Sequence, residues 1–150
     1  MQKITTFLMF NDQAEAAVNL YTSVFKNSKI VNMHRAGPGP TDAVMSATFQ
    51  LEGQQFMAFN GGPTFKFSEG ISLFVNCETQ AEIDELWAKL SDGGAPGRCG
   101  WLKDRFGVSW QIIPSILGQL LGNPDAEKAK RALNAMLQMG KLDIAKLQQA

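Results

Sequence analysis

An internal repeat constrains this sequence more than any other feature in it. Ile4-Thr5-Thr6-Phe7-Leu8 recurs as Ile71-Ser72-Leu73-Phe74-Val75, and Gln13-Ala14-Glu15 recurs as Gln80-Ala81-Glu82, both at an offset of 67. Each copy reads as a β-run, a turn and a helix start. Capping-box spacing marks both starts, Asp12 with Glu15 and Thr79 with Glu82. In such a box the first side chain accepts from a free helix N–H and the glutamate reaches back to the cap. Both helices carry apolar faces, Ala17, Leu20, Tyr21 and Val24 in the first and Ile83, Leu86, Trp87 and Leu90 in the second. Here the offset is 66, so one residue has been gained or lost at the turn.

Three strands are predicted after the first helix, over Lys29–Arg35, Val44–Leu51 and Gln54–Asn60. The last two flank Glu52-Gly53, a tight-hairpin signal. Ala36-Gly37-Pro38-Gly39-Pro40 reads as a flexible breaker and is expected to be a mobile loop. After the second helix, residues 93–97 read as a loop. Residues 99–103 and 108–113 then read as a hairpin around Asp104-Arg105-Phe106-Gly107. Matching Gly53 to Gly107 gives an offset of 54, so the second copy is 13 residues shorter and has lost or reduced one strand. The remainder is predicted helical. A short apolar helix over 115–121 stops at Gly122, and a second starts at Asn123-Pro124-Asp125 with Ala129, Ala132, Leu133, Met136 and Leu137 on one face. Gly140 ends it, and 143–148 adds a last turn. Such a stripe is read as core or as a dimer seam.

At 150 residues the chain fits one domain, divided as module one over about 1–66, module two over about 67–114 and a helical tail over 115–150. Lys+Arg and Asp+Glu are 14 each, so net charge is zero, which argues against nucleic-acid and anionic-membrane partners. No apolar run reaches the roughly 18 residues of a membrane span. The N-terminus lacks the charged start and long apolar stretch of a secretory leader. Cys77 and Cys99 have no CxxC spacing and read as free thiols, so a cytoplasmic location is expected.

Several segments resemble a known family. They are Phe7-Leu8-Met9-Phe10 with Ala14-Glu15-Ala16-Ala17 and Tyr21, then Phe56 to Pro63, then Ser72 to Cys77. The most specific is Cys99-Gly100-Trp101-Leu102-Lys103-Asp104 running on through Gly107-Val108-Ser109-Trp110-Gln111-Ile112-Ile113-Pro114. Two copies of strand-helix-strands resemble the vicinal oxygen chelate superfamily of glyoxalase, bleomycin-resistance and dioxygenase proteins. Within it, residues 2–150 resemble the PhnB-like family, whose domain label is 3-demethylubiquinone 3-methyltransferase. The resemblance implies an α+β fold of paired βαβββ modules with a helical C-terminal tail here, and usually a homodimer.

The methyltransferase label needs a glycine-rich strand-to-helix turn against its cofactor. Gly37–Gly39, Gly61-Gly62 and Gly93-Gly94 do not occupy such a turn, so that activity is disfavoured and no cofactor is expected. The wider superfamily's metal ligands fall, by resemblance, near Thr5, Met57, Ser72 and Gln111. None is His, Asp or Glu, so no metal site is expected. The single histidine, His34, is read as a surface or satisfied residue.

What remains is a cup. Thr5, Phe7 and Met9 share a strand face by period two, with Ser72, Phe74 and Asn76 as counterparts. Met57 and Phe59 add to the lining from one hairpin, and Trp101 with Trp110 or Gln111, according to register, from the other. A lining of this kind suits a small, apolar or aromatic organic molecule bound without a tight metal. The second reading is an enzyme acting on a carbonyl or quinone-like substrate, with Cys99 as the candidate nucleophile beside Arg98, Lys103 and Arg105. The third is an interaction module seamed by the tail. Asp104 reads as a turn residue.

Overall fold

The computed structural model describes all 150 residues, Met1–Ala150. They divide into two compact units, Met1–Phe67 and Ser68–Ala150. The first unit runs β1 (Thr6–Phe10), α1 (Ala14–Val24), β2 (Lys29–Arg35), β3 (Val44–Leu51) and β4 (Gln54–Asn60). Its sheet order is β1-β4-β3-β2, with β1 parallel to β4 and the other pairs antiparallel. The second runs β5 (Leu73–Cys77), α2 (Gln80–Ser91), β6 (Ala95–Pro96), β7 (Trp101–Lys103) and β8 (Ser109–Pro114). Its order is β5-β8-β7-β6, again with a parallel pair at one edge. Each unit is therefore a βαβββ module. The repeat in the sequence is a repeat in topology.

Strand β1 maps onto β5 at the sequence offset of 67, and the first-unit pair Thr6–Phe56 maps onto Leu73–Trp110. The helices map at 66 because three residues, Asn11 to Gln13, join β1 to α1, whereas only Glu78 and Thr79 join β5 to α2. That extra residue corrects the expected capping of α1. Its N-cap is Gln13, which makes no side-chain cap bond, so Asp12 sits one position too early. The side chain of Asn60, at the end of β4, accepts from Ala14 N–H instead (2.9 Å). Glu15 does not reach back to the cap. It pairs with Arg35 across the module (2.8 Å). In α2 the expected cap forms, with Thr79 Oγ1 accepting from Glu82 N–H.

The core of each unit lies between helix and sheet. Alternation in β3 sends Ala47, Phe49 and Leu51 towards α1, where Ala14, Ala17, Val18 and Tyr21 are buried, and a register shift between His34 and Arg35 brings buried Val44 to the same side. Tyr21, Phe49 and Phe56 extend that row as ring contacts with centroids 6.3 and 5.4 Å apart. In the second unit Ile83, Leu86 and Leu90 of α2 are buried with Leu102, Trp110 and Ile112. The hairpin turn at Glu52-Gly53 has positive φ at both residues (50° and 80°), the primed geometry that matches strand twist. The segment expected to be only a loop, 93–97, contains β6, and the strands around it are cut to two and three residues. The shortfall of 13 residues thus shortens strands without deleting one.

The tail forms α3 (Leu117–Leu121), α4 (Ala126–Leu137) and α5 (Ile144–Gln149). Asp125 and Asp143 cap the last two through their carboxylates. Leu117, Leu142 and Leu147 form a buried cluster with Ile113 of β8. No helix is long and apolar enough to cross a membrane.

Candidate functional site

Register decides which side chains share a sheet face, because directly paired residues point the same way. In the first unit, Phe7 pairs with Met57, Met57 with Thr48, and Thr48 with Asn32. The next row runs Met9, Phe59, Ser46 and His34. This is the face turned away from α1. Phe7 is 48% exposed on it and lies against Phe59, ring centroids 6.1 Å apart. Thr5 precedes β1 and is half-buried. Of the expected lining, Phe7, Met9, Met57 and Phe59 are therefore neighbours on one surface.

Sequence reasoning missed the other half of these rows. Asn32, His34, Ser46 and Thr48 continue them on β2 and β3, so an aromatic and thioether strip runs into a hydroxyl, amide and imidazole strip. The signal was present in the period-two alternation of β3, where Ser46 and Thr48 alternate with the buried Ala47, Phe49 and Leu51.

In the second unit Phe74 pairs with Gln111 and Gln111 with Trp101, placing three expected lining residues in one row. Phe74 is 54% exposed, and Trp101 and Gln111 are half-buried. The Gln111 side-chain amide donates to the Ser72 hydroxyl (2.9 Å), which adds Ser72 to the same surface. Trp110 does not belong to this lining. It alternates to the α2 side and is 2% exposed, and its indole N–H donates to the Asp104 carboxylate (2.9 Å). That carboxylate also accepts from the backbone N–H groups of Phe106 and Val108 (2.9 and 3.0 Å). Asp104 thus builds the β7–β8 turn as its sequence context suggested, and holds the indole besides.

The two thiols differ. Cys77 is buried, and burial, reinforced by the Glu82 charge, pushes its thiol up to about 12. Cys99 is half-buried at φ 59°, with its backbone N–H donating to the Met139 carbonyl. The chain's one histidine is in the first unit, so Cys99 has no imidazole in its own.

The residues do not fit the divalent cation that the sequence resemblance implied. The positions that the sequence resemblance pointed to carry a hydroxyl and a thioether in the first unit (Thr5, Met57) and a hydroxyl and an amide in the second (Ser72, Gln111), and those last two are hydrogen-bonded to each other. Nowhere do three His, Cys, Asp or Glu side chains converge. A hard cation needs carboxylate or imidazole in such a site. The residues also lack a dinucleotide-style cradle, since no strand-to-helix turn, Asn11 to Gln13, Glu78-Thr79 or Ser115-Ile116, contains a glycine.

A family model described as 3-demethylubiquinone-9 3-methyltransferase matches residues 2–113. A PhnB protein from Bacillus cereus is 45% identical, with a TM-score of 0.68 over 75% of this chain and 99% of that one. Protein PA1353 from Pseudomonas aeruginosa is 24% identical, with a TM-score of 0.63 over 76% and 98%. A glyoxalase/bleomycin resistance protein from Albidiferax ferrireducens T118 is 12% identical, with a TM-score of 0.49 over 75% and 98%. No curated protein matches.

Proposed function

The chain belongs to the PhnB-like, 3-demethylubiquinone-9 3-methyltransferase family, and on that premise we propose that it binds a small, neutral, apolar or aromatic organic molecule without a tightly held metal. One observation carries this reading. Phe7 and Phe74 occupy equivalent positions in the two modules, and both are about half exposed on the sheet face turned away from α1 and α2 respectively. Exposed phenylalanine costs roughly 25 cal/mol per Å² of apolar surface left in water, and a stacked ring recovers part of that. The groups beside them are amides, hydroxyls and an imidazole, which orient a neutral ligand through hydrogen bonds. The family's methyltransferase label draws no support from the strand-to-helix turns described above.

A thermal-shift screen against neutral aromatic compounds tests the proposal. Hits should stabilise the native chain with and without EDTA, and should weaken at least about tenfold on Phe7→Ala or Phe74→Ala, the change expected for a lost stacking contact and its buried area. A screen without hits, or hits indifferent to both substitutions, would overturn it. The enzyme reading makes a separate demand, that turnover of a carbonyl or quinone-like substrate be lost in Cys99→Ala.

A further inference from the structure

The tail stands outside what the family comparison covers. The family model ends at residue 113, and three quarters of this chain suffice to cover the Bacillus cereus PhnB protein almost completely. The tail is nevertheless built into the second unit at four places. Met139 and Gly140 carbonyls accept from Cys99 and Gly100 N–H (2.9 and 2.8 Å), in the two residues immediately before Trp101. The Gln80 side chain mimics a peptide, donating to Leu142 O (3.0 Å) and accepting from Ile144 N–H (2.8 Å). Lys141 pairs with Asp84 (2.8 Å). Leu117, Leu142 and Leu147 close over Ile113.

Ile113 is the informative contact. It lies two residues after Gln111 on β8, so it shares the face that carries Phe74, Gln111 and Trp101. Yet it is only 6% exposed, whereas Phe74 on the same face is more than half exposed. The tail therefore covers one end of this surface and leaves the other open. Gly100 shows how tight the closure is. A side chain there would meet Ile113 Cδ1 at 2.7 Å and Leu142 Cδ1 at 3.1 Å.

We propose that the tail is the end wall of the ligand surface on the second unit and sets the largest ligand that surface takes, an inference that rests on the small-molecule reading above. The Phe74–Gln111–Trp101 row takes a compact ring system. A longer one runs into the tail where Leu117, Leu142 and Leu147 pack it over Ile113.

All three tryptophans lie in the second unit, and only Trp101 is on the face in question, so its indole N–H resonance reports binding there. One-, two- and three-ring aromatic alcohols would be titrated into the full chain, into Leu142→Ala/Leu147→Ala, and into Gln80→Leu, which loosens the tail but keeps its apolar cluster. In the unaltered chain the Trp101 resonance should shift with the smaller alcohols and not with the three-ring one. Both variants should gain the three-ring ligand by roughly tenfold or more in affinity, the scale on which a pocket wall discriminates size. An identical size profile in all three proteins would overturn the wall while leaving small-molecule binding intact. A Trp101 resonance that no alcohol moves would overturn both. Should the double variant not fold, Gln80→Leu decides by itself.

Discussion

Asp104 holds three N–H groups with one carboxylate, and its burial makes that arrangement sensitive to single substitutions. Asp104→Ala leaves a buried indole N–H and two backbone N–H groups without their acceptor, at about 1–3 kcal/mol for each group left unsatisfied. It is expected to lower stability by about 3 kcal/mol or more in urea denaturation, and Asp104→Asn by less, because one amide oxygen still accepts. Asn60→Ala removes the acceptor for α1 and should cost about 1 kcal/mol, while Asp12→Ala should stay within about 0.5 kcal/mol. Equal losses would mean that Asp12 caps the helix after all. Glu15 is held below its ordinary value of 4.5, chiefly by hydrogen bonds from Arg35. A depressed carboxyl stabilises the fold above its unfolded-state value and loses that contribution as pH falls through the folded-state value. The Tm difference between the native chain and Glu15→Gln should accordingly be full at neutral pH and shrink below 4.5. Thiol labelling at pH 8 should modify Cys99 in the native state and Cys77 only after unfolding, since a thiol raised to about 12 supplies almost no thiolate there.

At the scale of elements, three glycines separate conformational freedom from crowding. Gly53 turns the β3–β4 hairpin at φ 80°, and its nearest non-neighbour is the end of the Asn27 side chain at 3.3 Å. Gly100, at φ 84°, faces Ile113 and the Ile112 carbonyl at under 3 Å. Gly118 lies in α3 with open space around it. Substitution by alanine should thus destabilise modestly at Gly53, by about 1 kcal/mol or slightly more, and considerably more at Gly100, and should stabilise by about 0.5–1 kcal/mol at Gly118. Thermal unfolding of the three variants checks the order. Most element bounds were legible in the sequence, and for a local reason. β2, β3 and β4 alternate or run between strong breakers, and the tail helices are framed by Asp125, Gly122 and Asp143. β6 was not legible, because Ala95-Pro96 carries no alternation. It exists only because β7 offers it an edge.

At the scale of the whole molecule, the sequence by itself determined the duplication and the βαβββ order in each half. Those properties follow from residue identity and from periodicity, which are local quantities. It also singled out Phe7, Phe74, Ser72 and Gln111, because strand alternation is readable once the strands are. The tertiary structure alone decided the rest. Trp110 and Gln111 are adjacent in sequence and face opposite sides, and only the pairing of β8 with β5 and β7 says which of them meets Phe74. Asn60 caps a helix that begins 46 residues before it, a contact no local pattern encodes. The tail reads as an amphipathic helix with nothing to say what it covers, until folding brings Leu142 and Leu147 against Ile113. Register and long-range contact are properties of which segments meet, and a linear pattern fixes the segments without fixing their meeting.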